Sequence, residues 1–357
     1  MKKRSLAVFL ALAMVLALLP AAAFAAEYEG YLYENGKVYR IEGENKAELA
    51  EEELAQLNGV SLQGIAGIDG KIYPTMQDAF EAVSTLLSEN GGLEQDGLDD
   101  EAFSALYTDP VASGDAHQGV RLTWTIFGTV EWGADLNNYF LSGGRAAAWY
   151  GSEAKTIRYI DVVGYGENAV VKAAKNPVMP YQWWGEGSDE YMGFTAQNLS
   201  IQVQTTQFSI SSNYRRGFDI TLDGCRFDGG LYHYFNGTGN VTIKNCVFQG
   251  DGEADASYAV MLQGHVSEPL TVRLTGNTIS GFTRGVNIDQ VTADVTVTGN
   301  TITPGVGYSA IQLSGFRTAL VADNVVYDQG NFLTFHANLA VNPLENRIAT
   351  VRDNTVY

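Results

Sequence analysis

The sequence predicts an all-β solenoid that follows a small α/β region. Short runs rich in Val, Ile and Thr, punctuated by Gly and Asn, fill residues 119–357, and no helical period interrupts them. An eight-residue pattern recurs seven times in this stretch, at intervals of 21 to 31 residues. A corner that recurs at such intervals, without helices between strands, is typical of stacked coils that bury their apolar side chains against one another.

Each copy of the pattern alternates apolar and polar residues and then turns. In Val295–Ile302 the first, third and eighth positions are apolar, which predicts one buried face. The fifth position is Asn, Asp or Gly in every copy, and these residues tolerate the positive φ of a corner. The sixth position predicts a ladder in which stacked amides satisfy one another and the corner backbone. Its residues are Leu199, Cys225, Cys246, Asn277, Asn300, Asn324 and Asn354.

This V-x-V-x-(G/N/D)-N-x-(I/V/F) corner and its Asn column resemble those of the pectin-lyase-like superfamily. The segment Ile160–Val171 is similar to the Gly-rich early coil of that family. The resemblance covers residues 119–357 and implies a right-handed parallel β-helix. A β-sandwich of regular hairpins is the alternative, but it does not predict a repeating corner column.

The first 25 residues are predicted to be a secretory signal peptide. A basic start, Lys2–Arg4, precedes the apolar run Leu6–Leu19, and Ala23–Ala25 offers a small-x-small cleavage pattern. An uncleaved membrane anchor is the alternative, although about 14 apolar residues are fewer than the roughly 20 that span a bilayer. We therefore expect a bacterial protein that is secreted or attached to the cell surface, with no membrane span after cleavage.

Residues 26–118 are expected to form the N-terminal α/β region. The dipeptide Asn35–Gly36 predicts a hairpin, and Asn45, with a glutamate three residues later, predicts the start of a short helix. A second, amphipathic helix is predicted over residues 76–88. It resembles the helix that caps the N-terminal opening in the family, and an acidic, Gly-rich loop follows it.

The charge balance limits the partners. The chain has 22 basic and 41 acidic residues, a formal net charge of −19, and loss of the signal peptide lowers the basic residues to 19 and the net charge to −22. Nucleic acids are bound by clusters of Lys and Arg, so a nucleic-acid partner is excluded. We expect partners that are neutral, cationic or reached through a metal ion.

The two cysteines occupy the same corner position in successive coils. Neighbouring strands lie about 4.8 Å apart, so Cys225 and Cys246 fall within the Cα range of a disulfide. Secretion would permit oxidation. Both a disulfide and a pair of buried, reduced thiols remain open, and we favour the thiols because parallel neighbours often have unfavourable Cβ geometry for bridging.

The resemblance places ligand sites on the strand that follows the corner. Alternation on these strands predicts an outward row of amides, hydroxyls and other polar groups, which suit sugar hydroxyls. An insertion over residues 176–192 adds two tryptophans that could stack on sugar rings. An ordinary solvated face and side packing of the insertion are the alternatives. The row is Met261, Gln263, Asn287, Asp289, Gln312, Ser314, Thr334 and His336, and the ligand-binding candidates are Gln263, Asn287, Asp289, Gln312, His336, Trp183 and Trp184.

Catalysis has weaker support than binding. A glycoside hydrolase needs two or three converging carboxylates, and the row contains one, Asp289. A lyase needs a basic residue beside the abstracted proton, and Arg284 is the nearest in sequence. Because no catalytic motif of the family can be carried over, we expect carbohydrate binding without catalysis. A polysaccharide lyase or glycoside hydrolase, with Asp289 and Arg284 as candidates, is one alternative, and a structural adhesin with a protein partner is another.

We expect neither a cofactor nor a bound metal. Residues 251–255 alternate carboxylates as Ca²⁺ loops do, which keeps Ca²⁺ as an alternative, but Ala256 and Leu262 stand where an EF-hand needs Gly and Glu. The histidines lack zinc-type spacing. Since Tyr357 directly follows a corner repeat, we expect the solenoid to continue further or to be covered by another chain or domain.

Overall fold

The structure is a computed structural model. It describes residues 29–89, 106, 110–112, 118–132, 156–173, 178–179, 191–212, 217–235, 238–252, 258–264, 270–289, 293–305, 308–327, 330–336 and 347–357. The predicted signal peptide and most of the 176–192 insertion lie outside these residues. None of the helices among the described residues is long and apolar enough to cross a membrane.

The N-terminal region is a small antiparallel sheet with two helices. The predicted hairpin is confirmed, and its turn has φ 53° at Asn35 and 79° at Gly36. Strand β4 pairs antiparallel with β7, the first long strand of the solenoid. Elements are numbered along the chain. They are β1 (Gly30–Glu34), β2 (Lys37–Glu42), β3 (Asn45–Glu48), α1 (Glu51–Leu54), β4 (Gly59–Gln63), β5 (Lys71–Tyr73), α2 (Met76–Glu89) and β6 (Pro110–Ala112).

The prediction of a helix beginning at Asn45 is wrong. Residues 45–48 form strand β3, which pairs antiparallel with β2, and helix α1 is confined to Glu51–Leu54. The residue before α1, Ala50, makes no side-chain capping hydrogen bond. Pairing of β3 with β2 is favoured over a helix because it supplies ladder hydrogen bonds and a Lys37–Glu48 ion pair of 2.8 Å. A short helix has few hydrogen bonds of its own.

Helix α2 lies over the N-terminal end of the solenoid. Its cap is Thr75, whose Oγ1 accepts a hydrogen bond from the backbone N–H of Asp78 at 3.1 Å. The buried side chains of Met76, Ala79 and Val83 join the main core, and the helix packs on β4, β5 and β8. This apolar face shields the first coil from solvent.

The remaining strands run in three parallel stacks, called sheets 1, 2 and 3 here, and sheets 2 and 3 belong to one hydrogen-bonded sheet because two long strands run through both. Sheet 1 contains β7 (Gln118–Phe127), β9 (Thr156–Gly164), β12 (Tyr191–Gln197), β14 (Gly217–Asp223), β16 (Gly239–Lys244), β19 (Leu270–Thr275), β22 (Ala293–Thr298), β25 (Thr318–Ala322) and β28 (Ile348–Arg352). Sheet 2 contains β8 (Thr129–Trp132), β10 (Val170–Ala173), the first parts of β13 (Ser200–Ser212) and β15 (Arg226–Phe235), β17 (Val247–Gln249), β20 (Thr278–Phe282), β23 (Thr301–Pro304), β26 (Val325–Val326) and β29 (Thr355–Val356). Sheet 3 contains β11 (Val178–Met179), the second parts of β13 and β15, β18 (Tyr258–Gly264), β21 (Arg284–Asp289), β24 (Ser309–Ser314) and β27 (Asn331–His336).

The sheets enclose a continuous apolar core. Equivalent side chains of successive coils stack on one another, as in Phe227 and Phe248, whose rings are parallel within 7° at 4.8 Å. The predicted apolar columns of sheet 1 are buried in the inner coils, with Val241, Val272 and Val297 at 0% exposure. The architecture is therefore a parallel β-helix, and the sandwich alternative is excluded.

Every predicted corner between sheets 1 and 2 adopts a left-handed conformation. The fifth position of all seven copies has positive φ, so the corner is set by residues that tolerate it. The values are Asn198 52°, Gly224 64°, Asn245 55°, Gly276 66°, Gly299 66°, Asp323 58° and Asp353 55°.

The predicted amide ladder is also present. The Oδ1 of Asn300 accepts hydrogen bonds from both the backbone N–H and the Nδ2 of Asn277, each at 2.9 Å. The same pair of bonds joins Asn300 to Asn324, and Asn324 to Asn354. Each Nδ2 donates as well to a backbone carbonyl of the preceding coil, such as that of Leu274 for Asn300 at 3.0 Å. The buried amides thus satisfy one another along the axis.

The ladder continues into the two cysteines, which are free, buried thiols. The backbone N–H of Cys246 donates to the Oδ1 of Asn277 at 2.9 Å, and its Sγ donates to the carbonyl of Lys244 at 3.2 Å. A hydrogen bond with the thiol of Cys225, and next its burial, raise the pKa of Cys246 well above the ordinary range.

Candidate functional site

The outward side of sheet 3 carries two columns of polar side chains that run along the solenoid axis. Neighbouring members belong to successive coils and lie about 4.8 Å apart. Column A contains Tyr232, Met261, Asn287, Gln312 and Thr334, and column B contains Gln263, Asp289, Ser314 and His336. The structure therefore brings together Gln263, Asn287, Asp289, Gln312 and His336, the five strand candidates of the sequence analysis.

The side chains between the columns point into the core, as the alternation predicts. Leu262 and Ile288 have 0% exposure and Val286 has 1%. In β15 the sequence left the phase open, and the register resolves it, because His233 pairs with Leu262 and is buried. The preceding residue, Tyr232, therefore belongs to the outward column A.

Asn287 is the unusual member of column A. It lies on the outward side of β21 but is only 2% exposed. Its Oδ1 is buried and accepts no hydrogen bond in the described part of the chain. An unsatisfied buried acceptor costs about 1–3 kcal/mol. The neighbours on the two adjoining coils, Met261 and Gln312, are half-buried.

Column B holds its carboxylate in a fixed position. The Oγ of Ser314, 1% exposed, donates to Asp289 Oδ1 at 2.7 Å and lies 3.3 Å from the carbonyl of Ile288. One coil further along, His336 is exposed. On the other side, the hydroxyl of Tyr232 donates to Gln263 Oε1 at 3.3 Å and links the two columns.

Arg284 begins strand β21 and contacts two aromatic rings. Its guanidinium donates to the hydroxyl of Tyr258, and its Cζ lies 4.9 Å from the ring centroid of Tyr258 and 5.0 Å from that of Tyr308. Asp289 ends the same strand, five residues and about 16 Å away. The structure therefore does not bring the two catalytic candidates together.

Three residues beside Arg284 were missed by sequence reasoning: Tyr258, Tyr308 and Ser309. Tyr258 and Arg284 are paired across neighbouring strands, and Tyr308 precedes the next strand. The available signal was the alignment of SYAVMLQG, TRGVNID and YSAIQLSG, which places Tyr258, Arg284 and Ser309 at the same position of successive strands, with Tyr308 one residue earlier.

Other sequence candidates lie outside the described residues. These are Trp183 and Trp184 of the insertion, and residues 253–255 of the acidic loop. Where the structure does describe the chain, no group of three or more His, Cys, Asp or Glu residues is placed to hold a metal ion.

Comparison with known proteins supports the fold. Residues 229–357 match the family model of a right-handed β-helix region. With the three parallel sheets, this match shows that the chain is a right-handed parallel β-helix, as the sequence predicts. No curated protein and no solved structure matches the chain.

Proposed function

We propose that this protein binds extracellular carbohydrate along columns A and B of sheet 3. The observation that carries the proposal is the register: amides, hydroxyls and a carboxylate repeat once per coil, about 4.8 Å apart, over four strands. A sugar unit in an extended glycan has a similar length. Successive sugars running along the axis would therefore meet side chains at equivalent positions, and amides, hydroxyls and carboxylates all form hydrogen bonds with sugar hydroxyls.

Asn287 supplies a reason for a ligand to bind at the centre of this surface. A sugar hydroxyl that donates to its Oδ1 would remove the cost of a buried, unsatisfied acceptor, about 1–3 kcal/mol. Because Asn287 is only 2% exposed, a ligand reaches its Oδ1 only if neighbouring side chains move.

Asp289 adds a second, oriented acceptor. Its hydrogen bond from Ser314 fixes one carboxylate oxygen and leaves the other to accept from a ligand, and bonds to a charged acceptor are the stronger kind. A single carboxylate with its nearest candidate partner about 16 Å away suits binding better than hydrolysis or elimination. The predicted signal peptide and the acidic composition support a location outside the cell.

The test is a screen of residues 26–357 against immobilised neutral polysaccharides, with and without Ca²⁺. Retention, new reducing ends and the absorbance of unsaturated products are measured together. We expect retention of at least one glycan without product and without dependence on Ca²⁺. Product formation would instead support a lyase or hydrolase, and retention by none of the glycans would contradict the proposal and favour a protein-binding adhesin.

A further inference from the structure

Arg284 differs from Arg226 and Arg317 in its surroundings. Arg226 and Arg317 are exposed and pair with aspartates, at 3.1 Å from Asp228 in the first case. Arg284 is half-buried, and none of the described carboxylates forms an ion pair with it. A half-buried cation whose charge is not balanced by a carboxylate favours the binding of an anion.

The two tyrosines hold the guanidinium in place. Stacking on the rings of Tyr258 and Tyr308 and the hydrogen bond to the Tyr258 hydroxyl restrict the side chain. This is the only hydrogen bond that the Arg284 side chain donates to the described residues. Because a guanidinium has five N–H donors in a fixed fork, it retains donors for a bidentate contact with an oxyanion.

Further donors follow Arg284 on the next two coils. Val286 pairs with Ile311, so Ser309, two residues before Ile311, stands beside Arg284, and Ser309 pairs in turn with Asn331. The Ser309 hydroxyl shares a 2.6 Å hydrogen bond with the hydroxyl of Thr334. A hydroxyl and an amide therefore lie about one and two coil spacings, roughly 5 and 10 Å, from the arginine along the axis.

We propose that Arg284 and Ser309, with Asn331 beyond them, bind a tetrahedral oxyanion, a sulfate or phosphate ester on the glycan ligand. A guanidinium pairs with two oxygens in its own plane. A carboxylate has only those two oxygens, whereas a tetrahedral group has a third oxygen left to accept from a neighbouring hydroxyl such as that of Ser309.

The position fits the binding surface proposed above. Arg284 lies three residues, about 10 Å, before Asn287 on β21. In the alternation of β21 it has the phase of Val286 and Ile288, so it borders columns A and B at the start of the strand rather than belonging to them, and a glycan has to extend past the start of the strand to reach it. The inference rests on the proposed function only in placing the ester on a glycan. Anion binding at Arg284 does not depend on the proposed function. The net charge of −19 opposes a dense polyanion, while repulsion beyond about 8 Å is screened at physiological ionic strength. Isolated ester groups are therefore the expected ligands.

The first experiment tests anion binding directly. Sodium sulfate, phosphate or acetate is titrated into residues 26–357 at constant ionic strength while the arginine Nε–Hε NMR resonances are recorded. We expect sulfate and phosphate to shift one resonance that Arg284→Gln removes, with acetate at least about tenfold weaker. The control is Arg273→Gln, which makes the same charge change at an exposed arginine on sheet 1. Equal binding of acetate, or loss of the response in the control variant, would overturn the proposal.

The second experiment tests the ester on a sugar. Matched oligosaccharides with no ester, a sulfate ester or a phosphate ester are compared for binding to the wild type, Arg284→Gln and Arg284→Lys. Arg284→Gln should weaken binding of the esterified glycans about tenfold and leave the affinity for the glycan without an ester unchanged. Arg284→Lys keeps the positive charge but not the fork of N–H donors, so it should restore part of the lost affinity. The ester that binds more tightly is the one that the site prefers.

The two proposals fail in different ways. If inorganic sulfate binds at Arg284 but no glycan binds, the carbohydrate proposal fails and the anion site stands. If Arg284→Gln weakens plain and esterified glycans equally, the arginine acts through the structure and the oxyanion proposal is wrong.

Discussion

Two kinds of buried asparagine distinguish the corner between sheets 1 and 2 from the outward side of sheet 3. Asn300 is 1% exposed, and its Oδ1 accepts two hydrogen bonds from Asn277. Asn287 is 2% exposed, and its Oδ1 accepts none in the described part of the chain. The same side chain, equally buried, is thus satisfied by the repeat in one region and not in the other.

The repeating corner and the outward side of sheet 3 differ in whether neighbouring coils carry the same residue type. In the corner each amide donates a hydrogen bond to one neighbour and accepts hydrogen bonds from the other. The contribution of these bonds to stability is sufficient to explain the column. In sheet 3 the columns are made of different residue types, and Met261 beside Asn287 can offer it no N–H. The repeat therefore supplies each corner amide with a partner, whereas it leaves the Oδ1 of Asn287 without one among the described residues.

The largest expected effect comes from breaking the corner ladder. Asn300→Leu leaves the backbone N–H and the Nδ2 of Asn277 without their shared acceptor, and we expect it to lower the free energy of unfolding by about 3 kcal/mol or more. Urea unfolding followed by circular dichroism measures the change. Asn240→Leu is the control, because it removes an exposed amide of sheet 1 whose Nδ2 donates to Asp219 at 2.9 Å. A loss below about 1 kcal/mol would show that the ladder contributes little.

A smaller effect is expected at the corner turn itself. Gly299 has φ 66°, and a Cβ added there would come no closer than 3.8 Å to another residue, so conformation rather than space limits the position. We expect Gly299→Ala to cost about 1 kcal/mol and Gly299→Asn clearly less, because Asn adopts this conformation at Asn198 and Asn245. Equal costs for Ala and Asn in thermal unfolding would argue against this explanation.

The thiols give a pH-dependent effect of similar size. The hydrogen bond between the two thiols raises the pKa of Cys246 and lowers that of Cys225, so its effects on the pair offset each other, and the burial of both thiols is left to oppose their ionisation. The stability that the buried, neutral pair contributes is complete below the unfolded thiol pKa of about 8.5 and is lost as the pH rises above it. Under reducing conditions the unfolding free energy should fall by about 1 kcal/mol between about pH 8 and about pH 9.5. Replacing both Cys225 and Cys246 by Ala should remove most of this slope. A slope unchanged in the variant would assign the pH dependence to other groups.

The smallest effect is expected for an ion pair on the surface. Asp294 accepts hydrogen bonds from Arg317 and, at 2.6 Å, from Thr318, and the bond from Arg317 is the main cause of its lowered pKa. Its side chain is 36% exposed, so Asp294→Asn should cost only a few tenths of a kcal/mol at neutral pH. The difference should be present above about pH 4 and disappear as the pH falls through the lowered pKa. A difference that grows on acidification would contradict this assignment.

The fold could be predicted from the sequence because its determinants repeat. Seven copies place the same residue types at the same positions, so the positive φ of Asp323 or the pairing of Asn300 with Asn324 follows from the pattern. Outside the repeat the hairpin at Asn35–Gly36 was also predicted correctly, but one local prediction failed. At Asn45 local capping signals indicated a helix, but pairing with β2 provides more hydrogen bonds.

The candidate site could be predicted only in outline. The alternation of β21 places Asn287 and Asp289 on one side, but the burial of Asn287 depends on residues from other coils. Tyr258, Arg284 and Tyr308 come together across loops of unequal length, so their contact depends on the register of three strands. Sequence periodicity does not determine such contacts.

The most direct test of the central claim compares Asn287→Leu with Asn300→Leu in the same two measurements. Leu cannot accept a hydrogen bond but fills a similar volume. Asn287→Leu should therefore leave the free energy of unfolding within about 1 kcal/mol of the wild type, or raise it. The same variant should abolish glycan retention. Asn300→Leu should instead lower the stability while the protein that remains folded retains the glycan. Wild-type retention by a folded Asn287→Leu variant would contradict the claim that the unsatisfied amide of sheet 3 binds carbohydrate.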